Sequence, residues 1–349
     1  MPIPYRKVDC GGPGITRRRR GKGFEYLDET GVKIEDAETI ARVRALAIPP
    51  AWENVWICSD PRGHIQAVGV DAAGRKQYLY HQSWRERRDQ QKFDRMIEFA
   101  GALPKVRHLT NEHLLMDGMP RERALACAVR LLDRGFFRVG GEGYAEENKT
   151  YGLATMLKEH VSLGNEVVIF DFIAKHGKQR IQSVVDPHVF ETVSILKRRR
   201  SGGAELLAYK QGSRWRDVRS SDINSYLREV AGGDYSAKDF RTWHGTVQCA
   251  LALSVSTQAR TSQTARKRAV ARAVKEVAHY LGNTPAVCRK SYIDPRVIDR
   301  YEGGVTIAGV LEDLGEVDAL SEGSLAVVEE AVLDLIQGRL RSPLLEKVA

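Results

Sequence analysis

Residues 55–80 decide the fold: Val55–Cys58 (VWIC), Ile65–Val70 (IQAVGV) and Gln77–Tyr80 (QYLY) are short runs rich in β-branched and aromatic residues. Turn-forming residues separate them, at Pro61–Gly63 (PRG) and at Asp71–Gly74 (DAAG). Strand-sized runs with turn signals between them are typical of antiparallel β structure. The stretch therefore predicts a small β-rich domain.

The sequence becomes mainly helical beyond His81, with one β-hairpin inside the helical part. Glu166–Ala174 and Gln179–Val185 are the predicted strands, and Lys175 lies in the turn between them. Apolar residues recur at helical spacing in several other stretches. These are Glu35–Leu46, Ser83–Phe99, Arg121–Phe137, Phe240–Ser254, Ser262–Leu281 and a segment after about residue 305. The chain is thus predicted to be an α+β protein with a β-rich domain over residues 1–88 and a larger, mainly helical domain over 89–349.

A run of four arginines, Arg17–Arg20, lies between glycine-rich and proline-rich residues. We expect this segment to be flexible. Two interpretations remain open, a solvated arm and a tail that contacts phosphates.

Charge, cysteine spacing and the length of the apolar runs indicate what class of protein this is. The 349 residues include 54 Lys and Arg against 45 Asp and Glu, a formal net charge of +9, which is compatible with a polyanionic partner but does not require one. The five cysteines are scattered without a CxxC pair, which favours a reducing compartment and excludes a zinc ribbon. No signal-type segment begins the sequence, and no apolar run approaches the ~18 residues of a membrane span. We expect a soluble intracellular protein.

Common motifs of nucleotide and metal chemistry are missing from the sequence. Gly140–Gly143 (GGEG) does not continue as GxGxxG, and no GxxxxGK[ST] or HExxH occurs. Acidic residues form no DxD cluster. If the protein acts on phosphodiesters, basic side chains rather than a dedicated metal must stabilise the negative charge, and no cofactor is expected.

A metal-free site on a DNA backbone needs guanidinium groups, a lysine, a further hydrogen-bond donor and a nucleophile. Residues of these types lie on separate predicted elements, at Arg138, Lys175, Arg241, Asn283 and Tyr292. Taken singly, each has an ordinary structural explanation, and no periodicity selects them as a set.

A family resemblance does select them. The motifs that carry it in the helical part are Phe136–Gly140 (FFRVG), Glu147–Leu153 (ENKTYGL), Lys238–Thr242 (KDFRT), Gly282–Pro285 (GNTP) and Ser291–Tyr292. In the β-rich part they are Ile48–Trp52 (IPPAW), Gly63–Gln66 (GHIQ) and Gly74–Tyr80 (GRKQYLY). From about residue 24 to about residue 300, the chain resembles type IB DNA topoisomerases of the compact poxvirus-like branch found in bacteria.

The resemblance implies catalytic roles. Tyr292 would attack the scissile phosphate and form a 3′-phosphotyrosyl link, while Arg138 and Arg241 hold the nonbridging oxygens. Lys175 would be the general acid for the 5′-oxygen. Asn283 stands where poxviral and nuclear enzymes have His, so it can donate a hydrogen bond but cannot titrate.

The resemblance also implies how DNA is bound. It assigns DNA contacts to Tyr78, Tyr80, Tyr144 and Lys238. The implied protein is a monomer that closes on double-stranded DNA as a C-shaped clamp, relaxes supercoils without ATP, a cofactor or an obligatory metal, and lies in the cytoplasm, at the nucleoid if bacterial. Membranes and small-molecule cofactors are not expected partners.

Two other functions share parts of this pattern. Tyrosine recombinases use the same nucleophile, but they generally carry His three residues before the second arginine, where this chain has Lys238. A non-catalytic DNA-binding protein of the same fold would be expected to lack one of Arg138, Lys175, Arg241 or Tyr292, and all four are present.

Overall fold

The computed structural model describes residues 5–256, 262–314 and 322–347, and the chain divides into two units, Met1–Asp94 and Arg95–Ala349. Within the described ranges no helix combines the length and the apolar character that a bilayer crossing requires. The division falls inside one long helix, six residues after the domain boundary at residue 88 that is predicted from the sequence.

The first unit is built on a five-stranded antiparallel sheet in the order β2-β1-β3-β4-β5. Its elements are β1 (Ile15–Arg20), β2 (Gly23–Leu27), α1 (Ala37–Ala45), β3 (Glu53–Ile57), β4 (Ile65–Val70) and β5 (Lys76–Tyr80). Ile15 and Ile57 pair across β1 and β3 and form a core with Ala67 and with Val43 of α1. The predicted β-rich domain is confirmed, because its three runs coincide with β3, β4 and β5.

The arginine run is part of this sheet, so the expectation of a flexible segment is wrong. Gly21, with φ +58°, turns β1 back onto β2. The Arg17 guanidinium donates to the carbonyl of Trp52 (2.6 Å) and lies 4.1 Å from the ring centroid of Phe24. Trp52 is distant from Arg17 in the sequence, and Phe24 lies across the turn. The residues next to Arg17 in the sequence therefore do not reveal the partners of its guanidinium.

The second unit is mainly helical. Its helices are α2 (Gln82–Leu114, which begins in the first unit), α3 (Arg121–Gly135), α4 (Glu142–Asn148), α5 (Pro187–Arg198), α6 (Ser220–Ala231), α7 (Ala237–Ser254), α8 (Gln263–Leu281), α9 (Pro285–Ser291), α10 (Pro295–Glu302), α11 (Ala308–Leu314) and α12 (Glu322–Gln337). Its strands are β6 (Val161–Leu163), β7 (Val167–Ala174), β8 (Lys178–Val185), β9 (Ala208–Gln211), β10 (Arg214–Asp217), β11 (Val305–Thr306) and β12 (Glu346–Lys347).

Local chemistry sets the ends of the helices around the site. Helix α3 is almost wholly buried and ends where Phe136 adopts a left-handed conformation (φ +54°), two residues before the predicted end. Helix α8 is capped at its start by Ser262, whose hydroxyl accepts from the Ala265 amide, and at its end by Gly282 (φ +62°), in agreement with the glycine preference of a left-handed cap. The predicted helix at 83–99 is longer in the structure and continues past Pro104 to Leu114.

The predicted hairpin is β7–β8, paired in register from Val167 and Val185 to Ala174 and Lys178, with β6 added on the other side of β7. The turn from Lys175 to Gly177 places His176 at φ +68°. The β9–β10 hairpin has no counterpart in the sequence-based prediction. Lys175 is thus the first residue of the turn at the tip of the β7–β8 hairpin.

A buried network of charges joins four helices of the second unit. The Arg107 guanidinium of α2 donates to Asp133 of α3 (2.8 Å) and to Glu329 of α12 (2.6 Å). The Trp243 and His244 side chains of α7 contact Glu329 (2.9 Å) and Asp133 (3.3 Å) respectively. Burial raises the pKa of Asp133, but the bonds from His244 and Arg107 outweigh it and hold the pKa well below the usual range.

Replacement of Arg107 should therefore destabilise the second unit strongly. In Arg107→Met the carboxylates of Asp133 and Glu329 stay buried without their cation, which costs about 3–5 kcal/mol of unfolding free energy. Denaturant unfolding measures the loss. As the control, Arg228→Met removes an exposed arginine that bonds only Ser225 among the described residues, and should change stability by less than about 0.5 kcal/mol. Equal losses in the two variants would contradict the role assigned to the network.

Candidate active site

Two adjoining cavities of the second unit, of about 730 and 260 Å³, share four lining residues: Arg138, Tyr151, Lys175 and Arg241. The larger lies between the β7–β8 hairpin and the end of α8 and also includes Asn283. The smaller includes Tyr292 and Lys238. All five predicted catalytic side chains therefore line one pair of cavities.

The C-terminal end of α8 fixes the position of Arg138. The Arg138 Nη2 donates to the carbonyls of Leu281 (3.2 Å) and Gly282 (2.9 Å) and to the Asn283 Oδ1 (2.7 Å). The last carbonyls of a helix have no partner inside the helix and carry partial negative charge. They therefore attract and orient a guanidinium that the left-handed turn at Phe136 brings to them.

Arg241 is held by the same helix end. It lies in the first turns of α7, is 4% exposed, and donates through Nη2 to the Leu281 carbonyl (2.7 Å) and through Nη1 to the Phe136 carbonyl (3.2 Å). Burial, together with the positive charge of Arg138, lowers the pKa of Arg241 to about 10. Arg241 thus remains a cation at neutral pH, and it is largely removed from water.

Asn283 offers a hydrogen-bond donor to this pocket. Its Oδ1 is occupied by Arg138, which leaves the amide Nδ2 as the only other polar atom of the side chain. That nitrogen is buried, and no residue in the described ranges accepts from it. A buried donor without a partner is unfavourable unless a ligand or water satisfies it, so Nδ2 is suited to bind an anionic oxygen.

Tyr292 lies directly after α9 rather than on it. The sequence predicts that it rides on this short helix, but Tyr292 is the C-cap residue, whose amide bonds the Cys288 carbonyl (2.9 Å). Its ring centroid is 5.1 Å from the Arg241 Cζ. Helix α7 packs closely behind it, since a Cβ at Gly245 would lie 2.6 Å from the Tyr292 carbonyl oxygen. The backbone of Tyr292 is therefore held at its amide by the bond to Cys288 and at its carbonyl by the close packing of α7.

The predicted DNA-contact residues lie in different places. Lys238 lines the smaller cavity. Tyr78 and Tyr80 lie on β5 in the first unit, both partly exposed, with ring centroids 6.0 Å apart and planes 17° from parallel. Tyr144 belongs to α4, and its side chain lies outside the described residues. The stacked tyrosines are a surface suited to bases or sugars.

Sequence reasoning missed several residues of the site. Tyr151 lines both cavities, and Gly140 and Gly152 bring two segments of backbone into direct contact beside Arg138. Arg180, on β8, enters the larger cavity and donates to the Tyr280 carbonyl. The glycine pair has a weak sequence signal in Gly140–Gly143, whereas nothing near Arg180 distinguishes it from other arginines.

Comparison with known proteins gives matches to both units. The model of the eukaryotic DNA topoisomerase I catalytic core matches residues 81–308, and that of the bacterial DNA topoisomerase IB N-terminal domain matches residues 23–71. DNA topoisomerase 1B of Acanthamoeba polyphaga mimivirus is 30% identical over 296 residues, 83% of this chain and 88% of the relative. DNA topoisomerase 1B of vaccinia virus strain Copenhagen is 20% identical over 71% of this chain and 75% of its own.

The contact between Gly152 and Gly140 should tolerate no side chain. In Gly152→Ala the new Cβ would lie 2.4 Å from the Gly140 Cα, which forces apart the segment that carries Arg138. We expect a loss of about 1–3 kcal/mol in unfolding free energy, as for other overpacked sites. The control is Gly141→Ala, where a Cβ meets nothing within 4 Å. Denaturant unfolding of both variants checks this, and equal stability would contradict it.

Proposed function

Since the chain belongs to the type IB DNA topoisomerases, we propose that Tyr292 is the nucleophile with which it cleaves DNA. The protein is a DNA topoisomerase and binds DNA: it relaxes supercoiled duplex DNA by transient cleavage of one strand and religation. The observation that carries the proposal is the convergence of Arg138, Arg241 and Tyr292 at one cavity.

The proposed reaction is a pair of transesterifications. The phenolic oxygen of Tyr292 forms a bond to the scissile phosphorus as the bond from phosphorus to the 5′-oxygen breaks. The phenolic proton leaves to solvent, and the 5′-oxygen takes up a proton to become a hydroxyl. Because one phosphodiester replaces another, religation needs only the reverse attack by the 5′-hydroxyl.

Arg138 and Arg241 are the proposed ligands of the nonbridging oxygens. Both guanidiniums are already oriented by the end of α8, so little reorganisation is needed when charge develops in the transition state. Partial removal from water strengthens their attraction for that charge. The unpartnered Nδ2 of Asn283 is the proposed additional donor to the same phosphate.

Lys175 is the proposed general acid. It lines both cavities from the tip of the β7–β8 hairpin. An alkoxide is a poor leaving group, and a positioned ammonium group can deliver the proton that it needs.

The remaining assignments concern DNA binding and the whole molecule. Lys238, Tyr78, Tyr80 and Tyr144 are proposed to contact the DNA near the cleavage site. The β-rich domain, residues 1–88, and the helical domain, residues 89–349, are proposed to act as a clamp on the duplex. We further propose a monomer that works in the cytoplasm, at the nucleoid in a bacterium.

Removal of the Tyr292 hydroxyl should abolish catalysis and spare binding. Tyr292→Phe keeps the ring beside Arg241 but has no atom to attack phosphorus. Plasmid relaxation in EDTA without ATP, a covalent adduct on denaturing gels and a filter-binding assay are the measurements. Tyr209→Phe, at a half-buried position on β9 outside both cavities, is the control. An adduct formed by Tyr292→Phe would contradict the assignment, and wild-type inactivity in EDTA would contradict the metal-free mechanism.

Loss of Lys175 should slow cleavage by a factor of ~10²–10⁴, the range for lost general acid catalysis. A substrate with sulfur in place of the scissile 5′-oxygen should restore the rate of Lys175→Ala, because a thiolate leaves without a proton. The same substrate should help Arg241→Ala much less, since the defect there lies at the nonbridging oxygens. Single-turnover cleavage measures both, and equal rescue of the two variants would exclude Lys175 as the acid.

A further inference from the structure

Strand β8 carries two side chains that reach from the hairpin to the ends of α3 and α8, beside the larger cavity. Arg180 and Gln182 are two residues apart, so they lie on the same face of the strand. Both line the larger cavity and both are half-buried. Neither has a part in the mechanism proposed above.

These two side chains form a continuous chain of hydrogen bonds. The Gln182 Nε2 donates to the carbonyl of Gly135, the last residue of α3. The Gln182 Oε1 accepts from the Arg180 Nε (2.9 Å), and the Arg180 Nη2 donates to the Tyr280 carbonyl in the last turn of α8. The hairpin is thereby joined to the end of α3, which leads to Arg138, and to the end of α8, which leads to Asn283.

The position of Arg180 is made by the surrounding structure. A Cβ at Gly282 would lie 2.6 Å from the Arg180 Nη1, so the glycine that ends α8 also leaves room for the guanidinium. Burial, followed by the positive charge of Arg138, lowers the pKa of Arg180. A third cation beside two others is unfavourable by repulsion, and the partial negative charge of the α8 carbonyls offsets it.

We infer that Arg180 is a positioning residue, which with Gln182 holds the β7–β8 hairpin against α8 and so places Lys175 at the leaving 5′-oxygen. The inference rests on the proposed role of Lys175 as the general acid. Arg180 is five residues from Lys175 on the same hairpin, and its Nε and Nη2 are already used by protein acceptors. These bonds tie Arg180 to the hairpin that carries Lys175, so it is expected to act through Lys175, and double variants test this against a direct contact with the phosphate.

The test is single-turnover cleavage by Arg180→Met, which fills similar space without a donor. On a duplex with a mapped cleavage site and normal 5′-oxygen, we expect cleavage about 10–100-fold slower than wild type, less than the loss in Lys175→Ala. With sulfur at the scissile 5′-position, the rate should return to within about threefold of wild type. A merely structural defect would not respond to the leaving group.

Double variants separate the two possible sites of action. If Arg180 acts through Lys175, Lys175→Ala/Arg180→Met should cleave within about threefold of Lys175→Ala, because the second change removes nothing further. If the two defects multiply and sulfur fails to rescue Arg180→Met, Arg180 acts at the phosphate and the inference is wrong. Arg180→Lys, which keeps the charge but loses the two-nitrogen geometry, should remain defective; full activity would also overturn it.

Gln182→Leu interrupts the same chain of hydrogen bonds at the residue that contacts α3. It replaces Arg180→Met in the test if that variant does not fold. It breaks the bond to Gly135 without removing a charge, and it should show the same rescue by sulfur with a smaller defect. Lys175→Ala shows whether a negative result concerns only the role of Arg180 or also the general acid assignment. If sulfur rescues it but neither Arg180→Met nor Gln182→Leu, only the present inference fails. If sulfur does not rescue Lys175→Ala, the general acid assignment fails and the inference fails with it.

Discussion

The C-terminal end of α8 is the element that orders the candidate active site. Three arginines from three different elements donate to its last carbonyls: Arg138 after α3, Arg180 on β8 and Arg241 on α7. Like charges would otherwise keep these side chains apart. The partial negative charge of the helix end and the unpaired carbonyls stabilise the cations together before any substrate arrives.

This arrangement requires that α7 be held in place, and the buried network around Arg107 anchors that helix. The network holds α7 through Trp243 and His244, which are two and three residues after Arg241 in the chain. Its charges are neutralised within the protein, whereas those of the catalytic pocket face the cavity. The same residue type therefore serves two purposes: among the described residues Arg107 donates to carboxylates, whereas Arg138, Arg180 and Arg241 donate to backbone carbonyls.

The sequence predicts the two-part α+β architecture and the order of its main elements, because their periodicity is local. It does not predict the strand at Arg17–Arg20, since the carbonyls that satisfy Arg17 come from a distant loop. The sequence also does not predict that α3 ends at a left-handed Phe136, since phenylalanine has no preference for that conformation. Of the site, a family resemblance marked Arg138, Lys175, Arg241, Asn283 and Tyr292, and the structure brings them together. Arg180 belongs to no motif, and only its hydrogen bonds distinguish it.

Asn283 has a consequence for the environment in which the pocket works. A carboxamide neither gains nor loses a proton in the physiological range, so the positive charge at this corner comes from the arginines around it and not from Asn283. An imidazole at the same position would add positive charge as acidity increases. The hydrogen bond proposed from the Asn283 amide to the phosphate would therefore not itself depend on acidity, whatever His279 in the same cavity does.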